Sequence, residues 1–137
     1  MISFHYENTQ KLENEAIASK WIENIIFAHG FEIGEVNYIF CNDAYLLKLN
    51  KEFLQHDTFT DIISFDNTLG KLIGGDIFIS VERVQENAVK YKESFFNEIH
   101  RVLIHGVLHF MGYKDKTEEE KKEMRKKENE CLNKINN

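Results

Sequence analysis

The sequence has 137 residues, is 42% hydrophobic, contains no proline, and carries 17 basic against 23 acidic side chains for a formal net charge of -6. That length and apolar content suit one globular domain spanning residues 1–137. The negative balance excludes indiscriminate nucleic-acid binding through a uniformly positive surface, so any contact with RNA must be local.

Positive charge is concentrated late: residues 1–113 hold 9 basic and 16 acidic side chains, residues 114–137 hold 8 and 7. The longest nearly apolar run, Val102 to Met111, is interrupted by His105, Gly106 and His109. It falls far short of the ~20 residues that cross a bilayer. The start, Met1-Ile2-Ser3-Phe4-His5-Tyr6-Glu7, has no basic region leading into an apolar one, so the expectation is a cytoplasmic protein without membrane attachment. Cys41 and Cys131 are the only cysteines, and a single widely spaced pair reads as two free thiols.

In chain order, Asn8 or Thr9 is a candidate cap for a first helix whose apolar positions Ala18, Trp21, Ile22, Ile25 and Ile26 recur at helical spacing, with Gly30 closing it. Val36, Tyr38 and Phe40 alternate with Glu35, Asn37 and Ile39, which predicts a strand over about 34–41. Asn42 then offers a cap for a short helix through Leu46, Leu47 and Leu49. The segments 60–65 and 76–80 are rich in β-branched and aromatic residues and flank a turn-prone stretch with Gly70, Gly74 and Gly75, so they read as two further strands. Ser80 caps a helix carrying Val81, Val84, Ala88 and Tyr91, and a longer helix runs from about Phe95 to Met111. Thr117 and Glu120 form a T-x-x-E capping box that opens a last helix, predicted to be mostly solvated.

The chemistry is concentrated in Ile104-His105-Gly106-Val107-Leu108-His109-Phe110-Met111-Gly112-Tyr113-Lys114-Asp115. Two histidines at i and i+4 lie about 40° apart and roughly 6 Å along a helix axis, which lets both imidazoles converge on one ion. Between Val102 and Met111 they are the only polar side chains, and two imidazoles buried together need a partner that a metal supplies. Gly112 suits a helix C-terminus in the left-handed conformation, so the chain can turn back and carry Asp115 to the same ion. The competing account makes the histidines hydrogen-bonded core residues and Asp115 a loop cap.

This run resembles the signature H-G-x-L-H-x-x-G-Y-D-H of the YbeY endoribonucleases, also described as rRNA maturation factors. Upstream, Leu49-Asn50, Thr60-Asp61-Ile62-Ile63-Ser64-Phe65 and Gly75-Asp76-Ile77 match further family segments in the expected order. The resemblance implies an α+β domain with a mixed four-stranded sheet packed against helices and a metal site on a buried helix and the loop after it. It also implies one divalent ion, zinc, held by His105, His109 and Asp115, and single-strand-specific cleavage of rRNA precursors in 16S rRNA 3′-end processing and ribosome quality control. Ribosomal particles are then the partners, and DNA is not. In such a site the catalytic role falls to His105 and His109 through the ion, which acidifies water towards a pKa of ~7 and stabilises charge on the phosphate.

Two departures stand out. Lys114-Asp115 replaces the family's Asp-His, although a carboxylate remains a competent zinc ligand. The family's arginine falls on Leu54 and its following proline on Phe59, which removes an expected phosphate contact. Around the core motif, Arg101 is either an ion-pair partner of Glu98 at i,i+3 or a replacement phosphate contact. Asp61 and Asp76, both expected at strand starts, either position water or cap turns. His5, His29, His56 and His100 have no comparable context, and the Lys121–Lys127 cluster reads as a solvated face before it reads as an RNA contact. Two other classes stay open: a metallopeptidase of the H-E-x-x-H kind, whose catalytic glutamate is Gly106 here, and a ribosome-associated binding factor with a structural metal.

Overall fold

The computed structural model describes residues 1–55 and 59–135, so His56 lies outside the described residues. Its elements are β1 (Ile2–Tyr6), α1 (Glu15–Ala28), β2 (Glu32–Cys41), α2 (Asp43–Phe53), β3 (Ile62–Asp66), β4 (Leu72–Ser80), α3 (Val81–Lys90), α4 (Phe95–Phe110) and α5 (Glu118–Ile135). The strands form one mixed sheet in the order β1-β2-β4-β3, parallel except for β3, which runs antiparallel to β4. The expected α+β architecture with a four-stranded sheet is therefore present.

Strand alternation divides the side chains between two faces. Val36, Tyr38 and Phe40 of β2 and Ile73, Ile77 and Ile79 of β4 are buried in the main core with Trp21, Ile22, Ile25 and Ile26 of α1 and the apolar side of α4. The opposite face carries a smaller cluster, in which Cys41, Leu46 and Ile63 pack with Phe65 and Phe78 under α2. Both cysteines are buried and free, as expected.

Two local expectations are corrected. The strand β1 was not anticipated, although Ile2, Phe4 and Tyr6 alternate and pair in register with Val36, Tyr38 and Phe40 of β2. The first helix begins at Glu15, not after Asn8 or Thr9. Asn8 and Asn14 take left-handed φ values of 52° and 60°, and Leu12 donates its backbone N–H to the Tyr6 hydroxyl at 3.1 Å, which holds this stretch as a loop. The last helix is mostly exposed, as expected, but one stripe of it, Met124, Glu128, Cys131 and Leu132, is buried, and the indole N–H of Trp21 donates to the Cys131 carbonyl at 2.8 Å. Its capping box does form, with Glu120 N–H donating to Thr117 Oγ1 at 3.1 Å and Thr117 N–H to Glu120 Oε1 at 2.9 Å.

Two glycines let α4 lie close on β4. A Cβ at Gly106 would stand 2.7 Å from Ile77 Cδ1 and 3.2 Å from Cγ1 and Cγ2 of that side chain. At Gly75, where φ is +152°, a Cβ would meet the Phe65 carbonyl at 2.4 Å and the Phe110 ring at 2.7 Å. Gly106→Ala gains about 1 kcal/mol of helix propensity but overpacks a buried isoleucine, which costs about 1–3 kcal/mol. We expect urea titration to show Gly106→Ala destabilised and Gly75→Ala destabilised more, because the latter clashes with backbone. A Gly106→Ala variant as stable as the parent would contradict this packing.

Candidate metal centre

The helix α4 presents His105 and His109 to one side of its contact with the sheet. Taking Gly106 as the residue facing Ile77, His105 is about 100° and His109 about 60° away in the same rotational direction. Both imidazoles therefore leave the core at the helix edge, with side chains 20% and 28% exposed. After Met111 the chain makes a Schellman turn: Gly112, at φ 104°, donates its N–H to the His109 carbonyl at 3.0 Å, and Tyr113 N–H donates to the Leu108 carbonyl at 3.0 Å. This reversal carries Asp115 back over the histidines.

The three side chains meet. His105 Nε2 and His109 Nε2 are 3.0 Å apart, and each is 3.2 Å from Asp115 Oδ2. A tetrahedral ion with bonds of ~2.0–2.1 Å would place its ligands ~3.3 Å from one another, close to this triangle. The protons also fit. His105 Nδ1–H donates to Glu128 Oε2 at 2.7 Å, and His109 Nδ1–H donates to the Tyr113 carbonyl at 2.9 Å. With each neutral ring's proton held on Nδ1, both Nε2 atoms bear lone pairs and face a carboxylate oxygen. Three acceptors without a donor between them form an arrangement that a cation completes.

Glu128 is the site residue that sequence reasoning missed. It lies on α5, is buried at 4% exposure, and accepts from both His105 and the guanidinium of Arg101, the latter at 3.0 Å. The signal was present: Met124, Glu128, Cys131, Leu132 and Ile135 form one helical stripe, and an acid within an apolar stripe demands a buried partner. The expected Glu98–Arg101 pair does not form among the described residues, because Arg101 is taken by Glu128. Burial raises the Glu98 carboxyl above the usual carboxylate range, against the opposing charge of Arg101.

The triad opens onto a hollow of about 510 Å³ that Asp61, Glu98, Arg101, Arg125 and Tyr91 also line. Asp61 is thus beside the histidines, just ahead of β3, and burial raises its carboxyl while the nearby His105 lowers it. Asp76 is elsewhere. It sits in mid-strand of β4 on the face opposite Ile77, accepts from Asn37 Nδ2 at 3.1 Å, and lines a separate hollow. The two-residue period of the strand turns it away from α4. Leu54, at the end of α2, and Phe59 are exposed and do not line the triad's hollow. Lys121 and Lys127 pair with Glu118 and Glu130 on the outer face of α5, as a solvated face would. His29 and His100 donate to backbone carbonyls of their own helices, and His5 contacts Asn37.

Comparison with known proteins accounts for nearly the whole chain. Residues 2–136 match the family described as Endoribonuclease YbeY. A protein of that name from Christiangramia forsetii is 55% identical over 131 residues, covering 96% of this chain and 92% of the relative. Another from Flavobacterium johnsoniae is 52% identical, covering 96% and 95%. The solution structure of TM1509 from Thermotoga maritima superimposes with a TM-score of 0.72 at 25% identity, covering 98% of this chain and 89% of that one. With the family's histidine motif on one helix and a carboxylate closing the triad, the chain belongs to the Endoribonuclease YbeY family.

Proposed function

We infer that this chain is a zinc-dependent endoribonuclease that cleaves single-stranded segments of rRNA precursors, including the 16S rRNA 3′ end, and works on ribosomal particles in the cytoplasm. The family's name supports the reaction class. The observation that carries the mechanism is the triangle of His105, His109 and Asp115 facing an open hollow. Structural zinc sites are closed by four protein ligands, whereas catalytic sites use three and keep one position open, so the arrangement favours an enzyme over a factor with a structural metal. The peptidase reading loses ground because position 106, where its glutamate would stand, packs on Ile77 without room for a side chain. No helix among the described residues is long and apolar enough to cross a membrane.

His105, His109 and Asp115 would hold the ion. When bound, it supplies Lewis-acid polarisation of a phosphate oxygen and acidifies a water ligand. The chain's own residues then have separate tasks. Glu128 and the Tyr113 carbonyl hold the Nδ1 protons, which fixes both imidazoles in the tautomer and orientation that coordinate. Asp61, with its raised carboxyl beside His105, orients the attacking water and takes its proton. Arg101, clamped by Glu128, and the exposed Arg125 put positive charge beside the phosphate in a hollow that Asp61, Glu98, Asp115 and Glu128 also line.

Single replacements should separate these roles. His105→Ala, His109→Ala and Asp115→Ala each lose bound zinc and RNA cleavage while the fold largely survives, as read by metal content, circular dichroism and cleavage of a structured RNA. Asp115→His retains zinc, and its activity optimum moves to lower pH, because an all-imidazole site carries a formal charge of about +2 where the native one carries about +1. Unchanged zinc affinity in Asp115→Ala would remove Asp115 from the site.

Glu128→Ala weakens zinc binding by about 10- to 100-fold, the usual cost of losing a carboxylate behind a metal-binding histidine. Competition with a chromophoric chelator measures it, and native affinity would reduce Glu128 to a packing role.

Acidification should release the metal. Burial alone would lower the pKa of His105, but the hydrogen bond to Glu128 and the charges of Glu128, Asp115 and Asp61 outweigh it and leave the pKa raised. Protons therefore compete with zinc for Nε2 beginning above the ordinary imidazole value of ~6.5. Isothermal titration should show affinity falling as pH drops from about 7.5 to 5, and a flat profile would exclude the histidines as ligands.

A further inference from the structure

We propose that Tyr91 and Asn87 form a nucleobase subsite on the wall of the triad's hollow, gripping the base of a nucleotide adjacent to the phosphate to be cut. The inference rests on the endoribonuclease reading and specifies how single-stranded RNA is selected.

Both residues line the same hollow as His105, His109 and Asp115. They are one helical turn apart on α3 and therefore share a face. Tyr91 caps the helix, is 57% exposed and lines this polar hollow. Its ring meets Lys90 Nζ at 5.5 Å from the centroid, and among the described residues its hydroxyl makes no hydrogen bond. The side-chain amide of Asn87 has no hydrogen-bond partner among the described residues either, so a donor pair and an acceptor stand free beside the exposed ring.

The backbone under the ring is fixed. Lys92 N–H donates to the Val89 carbonyl at 3.2 Å, and Glu93 N–H to the Ala88 carbonyl at 2.8 Å, a Schellman turn in which Lys92 takes φ 58°, a position usually given to glycine. Ser94 then caps α4 by accepting from Asn97 N–H at 3.0 Å. Tyr91 is thus exposed yet held between two capped helices, as a stacking platform should be.

The charge of the hollow points the same way. Asp61, Glu98, Asp115 and Glu128 line it against Arg101 and Arg125, so an RNA strand cannot be held there by phosphate contacts alone. Stacking on a tyrosine adds affinity without charge, and an amide reads donors and acceptors on a base edge. A duplex offers no free base face to such a platform, whereas an unpaired strand does.

The test uses the zinc-loaded chain and short single-stranded oligoribonucleotides with one cleavage position, each carrying one abasic replacement near it. In the parent, removing the contacted base should raise KM roughly 10- to 100-fold. Tyr91→Ala should show a similar rise on the intact strand and no longer distinguish intact from abasic. Tyr91→Phe should behave like the parent, and zinc affinity should stay unchanged in both variants. Asn87→Ala should flatten the preference among the four bases at that position, and a preserved preference would overturn its part. Tyr91→Ala with the parent's KM, or one that still penalises the abasic strand, overturns the subsite. If the parent cleaves no RNA, the endoribonuclease reading fails separately. The subsite is then judged by Tyr91→Trp, whose added indole emission should be quenched by the oligonucleotide, and unquenched emission overturns it.

Discussion

The hydrogen bond from His105 Nδ1 to Glu128, 2.7 Å long and buried, is the contact around which this molecule is arranged. A carboxylate at 4% exposure is tolerated only when it is paired, and Glu128 obtains two partners from α4, His105 and Arg101. The same contact ties the last helix to the core helix, sets the tautomer of the first histidine and immobilises a guanidinium beside the hollow. Fold and site share one interaction, which is why α5 has to pack as it does.

Close contact between α4 and the sheet supplies the second constraint. Gly106 on the helix sits over Ile77, and Gly75 on the strand sits under Phe110. The two bulky side chains each take the space that the facing glycine leaves, which sets the rotation of the helix. That rotation brings His105 and His109 to the helix edge, and the Schellman turn at Gly112 then delivers Asp115 to them. Small residues at the helix–sheet contact therefore decide where the two imidazoles point.

The hollow itself is acidic, and this shapes what can enter it. Asp61, Glu98, Asp115 and Glu128 exceed Arg101 and Arg125 in number, so an anion entering the hollow meets more like than opposite charge from these side chains. The chain's overall charge of -6 is consistent with that design: attraction for nucleic acid is local.

Periodicity and spacing within single elements were legible from the residues alone. The helical recurrence of Ala18, Trp21, Ile22, Ile25 and Ile26, the alternation of Val36, Tyr38 and Phe40, the capping box at Thr117 and the His105-x3-His109 pair followed by Gly112 each depend on neighbours within a few residues. What the sequence did not convey depended on elements distant along the chain. β1 is held by pairing with β2, more than 30 positions later, and the face on which Asp76 lies follows from which side of the sheet α4 covers. Arg101 lies three residues from Glu98, yet it pairs with Glu128, 27 positions away. Local spacing determined which side chains could meet an ion, because helix and turn geometry act over one or two turns. Only the packing of α5 on α4 decided which charges stand behind those side chains, because burial exists only once separate elements have come together.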